Sequence, residues 1–347
     1  TQFASSAASD VYKRQANITS NANGDYANDD FVFGSPSLDD NSNSDHDHRM
    51  FFDKATGSFR AGIVSNSYWN QGSLGMASFA TGHNTRATGA YSVAMGTGSS
   101  GSGDESAAIG YFSSALGDRS IAIGNNATAS GSSSTAIGAH TEATASNSMA
   151  MGSSSISTGA NSIAFGNNTM ASGNFSTAMG FFTEAPSGYE LVLGALNTQY
   201  SPADSTGWNA ADRLFVIGNG TGLGARSDAM VVLKNGNTGI GASSPSEKLH
   251  VIGNICYTGS SASCSDLRYK KDITVLPNVL EKLEQINGVY YNWKVEEFPQ
   301  NDFTDERQIG VIAQELELVY PELVITDANG YKTVDYPKLT AVLIEAN

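Results

Sequence analysis

The sequence predicts a mainly β chain, organised around a parallel β-solenoid with 14-residue coils and closed by a small α+β domain. Three observations predict it. Glycine recurs at positions 82, 96, 110, 124, 138, 152, 166, 180 and 194, an unbroken step of 14. Ahead of most of these runs Ser-x-Ala-apolar-Gly, clearest in Ser92–Gly96, Ser120–Gly124 and Ser162–Gly166. Near residue 264 the Gly/Ser/Ala-rich composition gives way to ordinary mixed sequence.

Fixed-period self-similarity is the signature of a stacked architecture. Halfway between the main glycines lie Gly89, Gly103, Gly117, Gly131, Gly159 and Gly173, with Ala145 and Ser187 in the two remaining slots. A flexible linker shares this composition, but it has no reason to keep Met95, Ile109, Ile123, Ile137, Met151, Phe165, Met179 and Leu193 in register. One coil then holds two short strands of about five residues, each closed by a turn where glycine permits φ > 0. Strand alternation puts Ala94, Ala108, Ala122 and their equivalents inside with the serines. So thin a coil has room for nothing larger. The Met/Ile/Phe column points outward, an apolar stripe too large for a soluble monomer, and identical chains would cover it by cyclic symmetry. At ~4.8 Å per rung, eight intervals give roughly 38 Å of shaft.

Other uses of such an array fit less well. Ice binding would need a regular outward Thr-x-Thr ladder, which Thr85, Thr88, Thr128, Thr141 and Thr144 do not make. Calcium-loaded nonapeptide repeats need aspartate in every turn. A glycosidase needs paired carboxylates, whereas Asp104-Glu105, Asp118, Glu142 and Glu184 are scattered and read as solvated rim charges.

At 347 residues the chain has room for two or three domains. A net charge of −15 and a pI near 4.6 argue against nucleic acid, which needs clustered Lys and Arg. No apolar run reaches the length of a membrane span, and no signal-peptide core opens the chain. Residues 1–15 share nothing with the rest of the chain and read as a scar or a disordered start; with Thr1 first and Asn347 inside an expected helix, the chain reads as a fragment.

Residues 16–72 read as an acidic, β-rich lead-in that caps the repeats. Strands are expected at Asp29–Gly34, Met50–Asp53 and Phe59–Val64, with Tyr68 and Trp69 helping to close the first coil. Asp39, Asn41, Asn43, Asp45 and Asp47 alternate as calcium ligands do, but Ser44 and Met50 stand where an EF-hand needs glycine and glutamate. A solvated acidic loop is the better reading, and His46 with His48 is weak evidence for a transition metal.

Residues 196–263 read as a β-rich neck. Pro202, Gly207 and Trp208 break the period, and strands are expected at Asp212–Ile217, Ala229–Leu233, Thr238–Gly241 and Lys248–Ile252. The glycines from Gly218 to Gly224 superficially match a dinucleotide fingerprint, but no helix pattern comes after them to cradle a phosphate. Cys256 and Cys264 fit either a hairpin disulfide in an extracellular setting or two buried thiols; two cysteines without a spaced His pair make no structural zinc site. No cofactor is indicated.

Residues 264–347 read as the α+β unit, with helices at Leu276–Ile286, Ile309–Tyr320 and Pro337–Glu345, a strand at Gly288–Trp293 and a hairpin over Val324–Val334. At its start Ser265 and Lys270 offer a nucleophile and a base, with no histidine nearby to compete. Lysine serves as a base when desolvation or neighbouring cations lower its pKa; Lys271 and Arg268 are candidate neighbours, and Ile273 a candidate apolar wall.

Two resemblances sharpen this reading. The run Ser265-Asp-Leu-Arg268-Tyr-Lys270-Lys-Asp-Ile273, with Gly310-Val-Ile-Ala-Gln-Glu315, Pro321, Val324, Gly330, Val334, Tyr336 and Leu339 downstream, resembles the endosialidase-type intramolecular chaperone domain of phage tail spikes and fibres. The resemblance implies a domain that helps three chains fold together and then cuts itself off. Ser265 would be the nucleophile, Lys270 its base, and Asp266 with Arg268 would hold the local geometry. Residues 76–195, matching in both half-periods, resemble the head of trimeric autotransporter adhesins. That implies a left-handed parallel β-roll, a homotrimer, and a large apolar column along the threefold axis. The expected function is a trimeric fibrous adhesin of the phage tail-fibre or tail-spike type, outside the cell or on the virion, binding a host or cell-surface receptor that could be a glycan. A secreted bacterial adhesin with the same modules, or the non-catalytic part of a glycan depolymerase, are the alternatives.

Overall fold

The computed structural model describes residues 31–35, 38, 39, 47–253, 255, 256, 258, 265–298, 301, 303–327 and 329–346. The chain divides into two compact units at Gly236/Asn237.

The first unit is the solenoid. Each coil pairs a five-residue strand, such as Ile121–Asn125, with a two-residue strand, such as Thr128–Ala129. The second strand is thus shorter than the sequence suggested, because the chain spends the difference on turns. All rungs stack parallel and in register: Ala122 faces Ala108 and Ala136, while Ile123 faces Ile109 and Ile137. The alanine column from Ala80 to Ala178 is fully buried, as are Ser92, Ser120 and Ser162. The Met/Ile/Phe column points outward as expected. Phe165 and Met179 are exposed, and the other members are half-buried because in-register neighbours shield one another.

Glycine has two roles here, and only one concerns backbone dihedrals. The main glycines hold φ of about +100° to +140°, as Gly124 does at +136°, and a Cβ there would meet the next coil's carbonyl oxygen at 1.9 Å. The half-period glycines have no positive φ. Gly89 is needed for closeness alone, since its Cβ would lie 2.0 Å from Gly103 O. The left-handed turn residues are instead mostly non-glycine and recur every seven positions, among them Tyr91, Asn126, Ser133 and Tyr189.

Both ends of the array run further than the glycine step shows. The lead-in forms strands Phe31–Phe33, His48–Asp53 and Ser58–Ile63, and the last lies parallel to Phe79–His83, with Gly62 opposite Gly82. Arg60 therefore takes the inward position that alanine holds in later coils. Its guanidinium donates to Ser78 O, Ser78 Oγ and Ala87 O at 2.8–3.0 Å, and burial lowers its pKa to about 10. Trp69, fully buried, donates Nε1–H to Thr85 O at 2.8 Å and closes this end, while Tyr68 stays exposed.

At the other end the chain leaves the repeat for a loop and returns as Arg213–Asn219, parallel to Leu191–Ala195, with Gly218 opposite Gly194 and Ile217 opposite Leu193. Asp228–Leu233 then adds antiparallel. Here the inward column widens to Val192, Val216 and Val231. Beside it Glu190 is buried: Oε2 accepts from Ser187 N at 2.9 Å and from Tyr200 Oη at 3.4 Å. Burial pushes this carboxyl up to about 8, against the opposing pull of the Ser187 amide, Arg213 and Lys234.

The second unit holds a parallel pair, Thr238–Ile240 with Leu249–Val251, and a small α+β body. Gly288–Tyr291 pairs antiparallel with Gln308–Val311, and Val324–Thr326 with Lys332–Val334. Helices at Val279–Leu283, Ala313–Val319 and Tyr336–Glu345 bury Val279, Leu316 and Val342 with Tyr320 and Leu323. Two expected helices are shorter. Pro277 disfavours helical geometry at Leu276, and Asn278 is left-handed at φ 54°, so the first begins at Val279. The second loses Ile309–Val311 to the sheet, where a Cβ on Gly310 would meet Tyr336 Oη at 2.6 Å; that hydroxyl accepts from Val311 N at 3.2 Å. Among the described residues no helix is long and apolar enough to cross a membrane.

Candidate self-processing site

Asp266 builds the site. It caps a single 3-10 turn, Leu267–Tyr269, by accepting from Arg268 N at Oδ1, 2.8 Å. Arg268 folds its guanidinium back on the same carboxylate, Nε to Oδ1 at 3.0 Å and Nη2 to Oδ2 at 2.8 Å. The side-chain bonds from Arg268, then its backbone N–H, hold Asp266 below the usual carboxylate range. Backbone bonds from Tyr269 N to Asp266 O, 3.1 Å, and from Lys270 N to Leu267 O, 3.0 Å, close the turn. Reversal over this turn brings Lys270 Nζ to 2.8 Å from Ser265 Oγ, to which it donates.

The two pairs of the motif are thus brought together, Ser265 with Lys270 and Asp266 with Arg268. The apolar wall is missing among the described residues of one chain. Residues 265–278 are all exposed, Ile273 among them, and Leu267, Tyr269 and Val275 also stand in water. A lysine acts as a base only where its surroundings exclude water or add positive charge. Arg268 is committed to Asp266.

Other candidate residues stand apart. Cys256 is exposed, against the buried-thiol alternative, and Cys264 lies outside the described residues. Of the acidic loop, Asn41, Asn43, Asp45 and His46 also lie outside them. The capping role of Asp266 and the hold of Tyr336 on Val311 were not read from sequence; Asp two residues before Arg at a chain reversal was the signal for the first.

Comparison with known proteins agrees with both resemblances. The model for the YadA head domain repeat matches residues 74–99, 102–127, 129–155 and 157–183. That for the chaperone of endosialidase matches residues 265–325, so the dyad opens the matched segment. Segments similar to head repeats are thus followed along the chain by a segment similar to the chaperone of endosialidase. The chain is similar to the Long tail fiber protein Gp37 of Escherichia phage AR1, at 41% identity over 66 residues, 19% of this chain. The match spans 6% of that protein's length.

Proposed function

We propose that this chain is part of a trimeric fibrous adhesin of the phage tail-fibre or tail-spike type, exposed on the virion and binding a host-surface receptor. In this reading residues 16–72 cap the shaft, 73–195 form it, 196–263 make the neck, and 264–347 direct assembly of three copies and then cut the chain once at Ser265. The observation that carries it is the continuous outward apolar column, Met95 to Ile217, which nothing among the described residues of the single chain covers. A column of this kind needs a partner of the same rise and register, and copies of the chain supply one.

For the cut, Ser265 Oγ would attack the Cys264 carbonyl carbon while its proton passes to neutral Lys270. The Cys264–Ser265 amide breaks, the proton goes to the Ser265 nitrogen, and water hydrolyses the resulting ester. Neighbouring protomers would cover Leu267, Tyr269 and Ile273 and so supply the missing wall.

Two measurements test the reading. Native mass spectrometry should find three copies, and a well-behaved single chain in dilute buffer would overturn it. On a denaturing gel the whole gene product should run as two fragments, and Ser265→Ala and Lys270→Ala as one; an uncut wild type would remove the peptidase step.

A further inference from the structure

The turn edge of the shaft carries a feature distinct from the outward apolar column. The repeat is interrupted once near its C-terminal end: Gly194 and its partner Gly218 are 24 residues apart instead of 14, an insertion of ten. The insertion is firmly pinned. Asp212 accepts from Ala203 N and Asp204 N at 2.7 and 2.9 Å. Asp204 Oδ1 accepts from Thr206 N and Gly207 N at 2.8 and 2.9 Å, and Asn174 N donates to Ser205 O at 2.8 Å.

What this fixed loop holds out is Trp208, 58% exposed. Its ring stands 6.2 Å from Tyr189, which stacks on Phe175 at 5.0 Å with planes 4° apart. All three rings are exposed. Tyr189 and Phe175 are turn residues, so the strip lies on the turn edge and not on the Met/Ile/Phe face. Lys234, buried and donating to Ser187 Oγ at 2.6 Å, lies 5.6 Å from the Trp208 ring centroid.

We propose that Trp208, with Tyr189 and Phe175, is a receptor platform for a neutral sugar, a hexose or N-acetylhexosamine unit of a surface glycan. This rests on the adhesin reading and gives it a site. An aromatic face is electron-rich and receives the partly positive C–H face of a pyranose. A strip of three rings suits one or two sugar units. The chain's net charge of −15 selects against acidic glycans.

The test uses the assembled full-length protein on an array of immobilised neutral and sialylated oligosaccharides, with adsorption to host cells measured in parallel. Wild type should bind neutral glycans. Trp208→Ala should bind at least tenfold more weakly, Trp208→Phe within a few-fold of wild type, and Tyr91→Ala, an exposed turn aromatic elsewhere on the shaft, unchanged. Cell adsorption without any glycan signal would overturn the platform and leave the adhesin standing; absence of both would remove both. Equal binding by Trp208→Ala overturns the proposal. So does loss of the trimer in that variant by light scattering, which would assign the strip to contact between copies.

Discussion

The repeat array and the C-terminal unit both leave apolar surface in water, but they do so in different ways. In the array the buried column is almost wholly alanine and complete within one chain, and the exposed apolar residues include members of the straight outward column and, apart from it, turn aromatics such as Tyr91, Phe175 and Tyr189. In the C-terminal unit the core is five residues with a few half-buried neighbours, while Ile309, Leu318 and Ile344 are each more than 70% exposed on separate elements. Under the proposed function the first would be a rod with a seam for partners, and the second a body whose core other copies would finish. A small domain gains little from its own burial, so under the proposed function a module finished by other copies would suit control of when they meet.

Five substitutions would break or sharpen that contrast. The largest effect is expected in the rod. Gly124→Ala combines left-handed backbone with a Cβ at 1.9 Å from Gly138 O, and with no flexible side chain to yield, the coil must open. Circular dichroism should show loss of the cooperative β transition, whereas Gly330→Ala, strained by its φ of +87° but with no atom for the new Cβ to strike, should cost the C-terminal unit less.

Next comes the seam. Phe165→Asp puts a carboxylate in the outward column without touching the alanine core. Sedimentation should find single chains whose β spectrum is intact; a trimer of unchanged stability would place the contact elsewhere.

A smaller effect is expected from Glu190. Its folded pKa of about 8 lies above the ordinary 4.5, so the folded state binds this proton more tightly than the unfolded one. Stability should be unaffected below pH 4.5, fall as pH rises through 4.5 to about 8, and level off above it. At ~1.4 kcal/mol per pH unit the loss is a few kcal/mol at most. Arg213, Lys234 and Tyr200 face the carboxyl and temper it. Melting temperatures across that range should slope downward for wild type and be flatter for Glu190→Gln.

The least change in stability is expected at the turn. Asp266→Asn weakens an exposed pair, so melting should not move, but the 265–270 geometry loosens and the cut fragments should accumulate more slowly on a gel.

The inward alanines and the outward column were legible because a period of 14 with strand alternation leaves one assignment of faces. The ends of the rod were not. Gly62 and Gly218 belong to the same file of glycines but stand 20 and 24 residues from their neighbours, so spacing alone hides them. Composition misled at Ile309–Val311, where helical spacing of apolar residues gave way to pairing with Gly288–Tyr291. The chemical pair Ser265–Lys270 could be named from its motif, and Asp266's cap explains why side chains five apart meet. Its exposure could not be foreseen, since the residues that would cover it belong to no described segment of this chain.

The left-handed turn positions have a bearing on how such a rod varies. Tyr91, Glu105, Arg119, Asn147 and Phe175 occupy equivalent places in different coils, each exposed and each with a φ between 55° and 58°. The position evidently accepts aromatic, acidic, basic and amide side chains alike, at a modest conformational cost already met by the stacked rungs. A fibre built this way can change what it displays one letter at a time, leaving the scaffold that holds the letters unaltered.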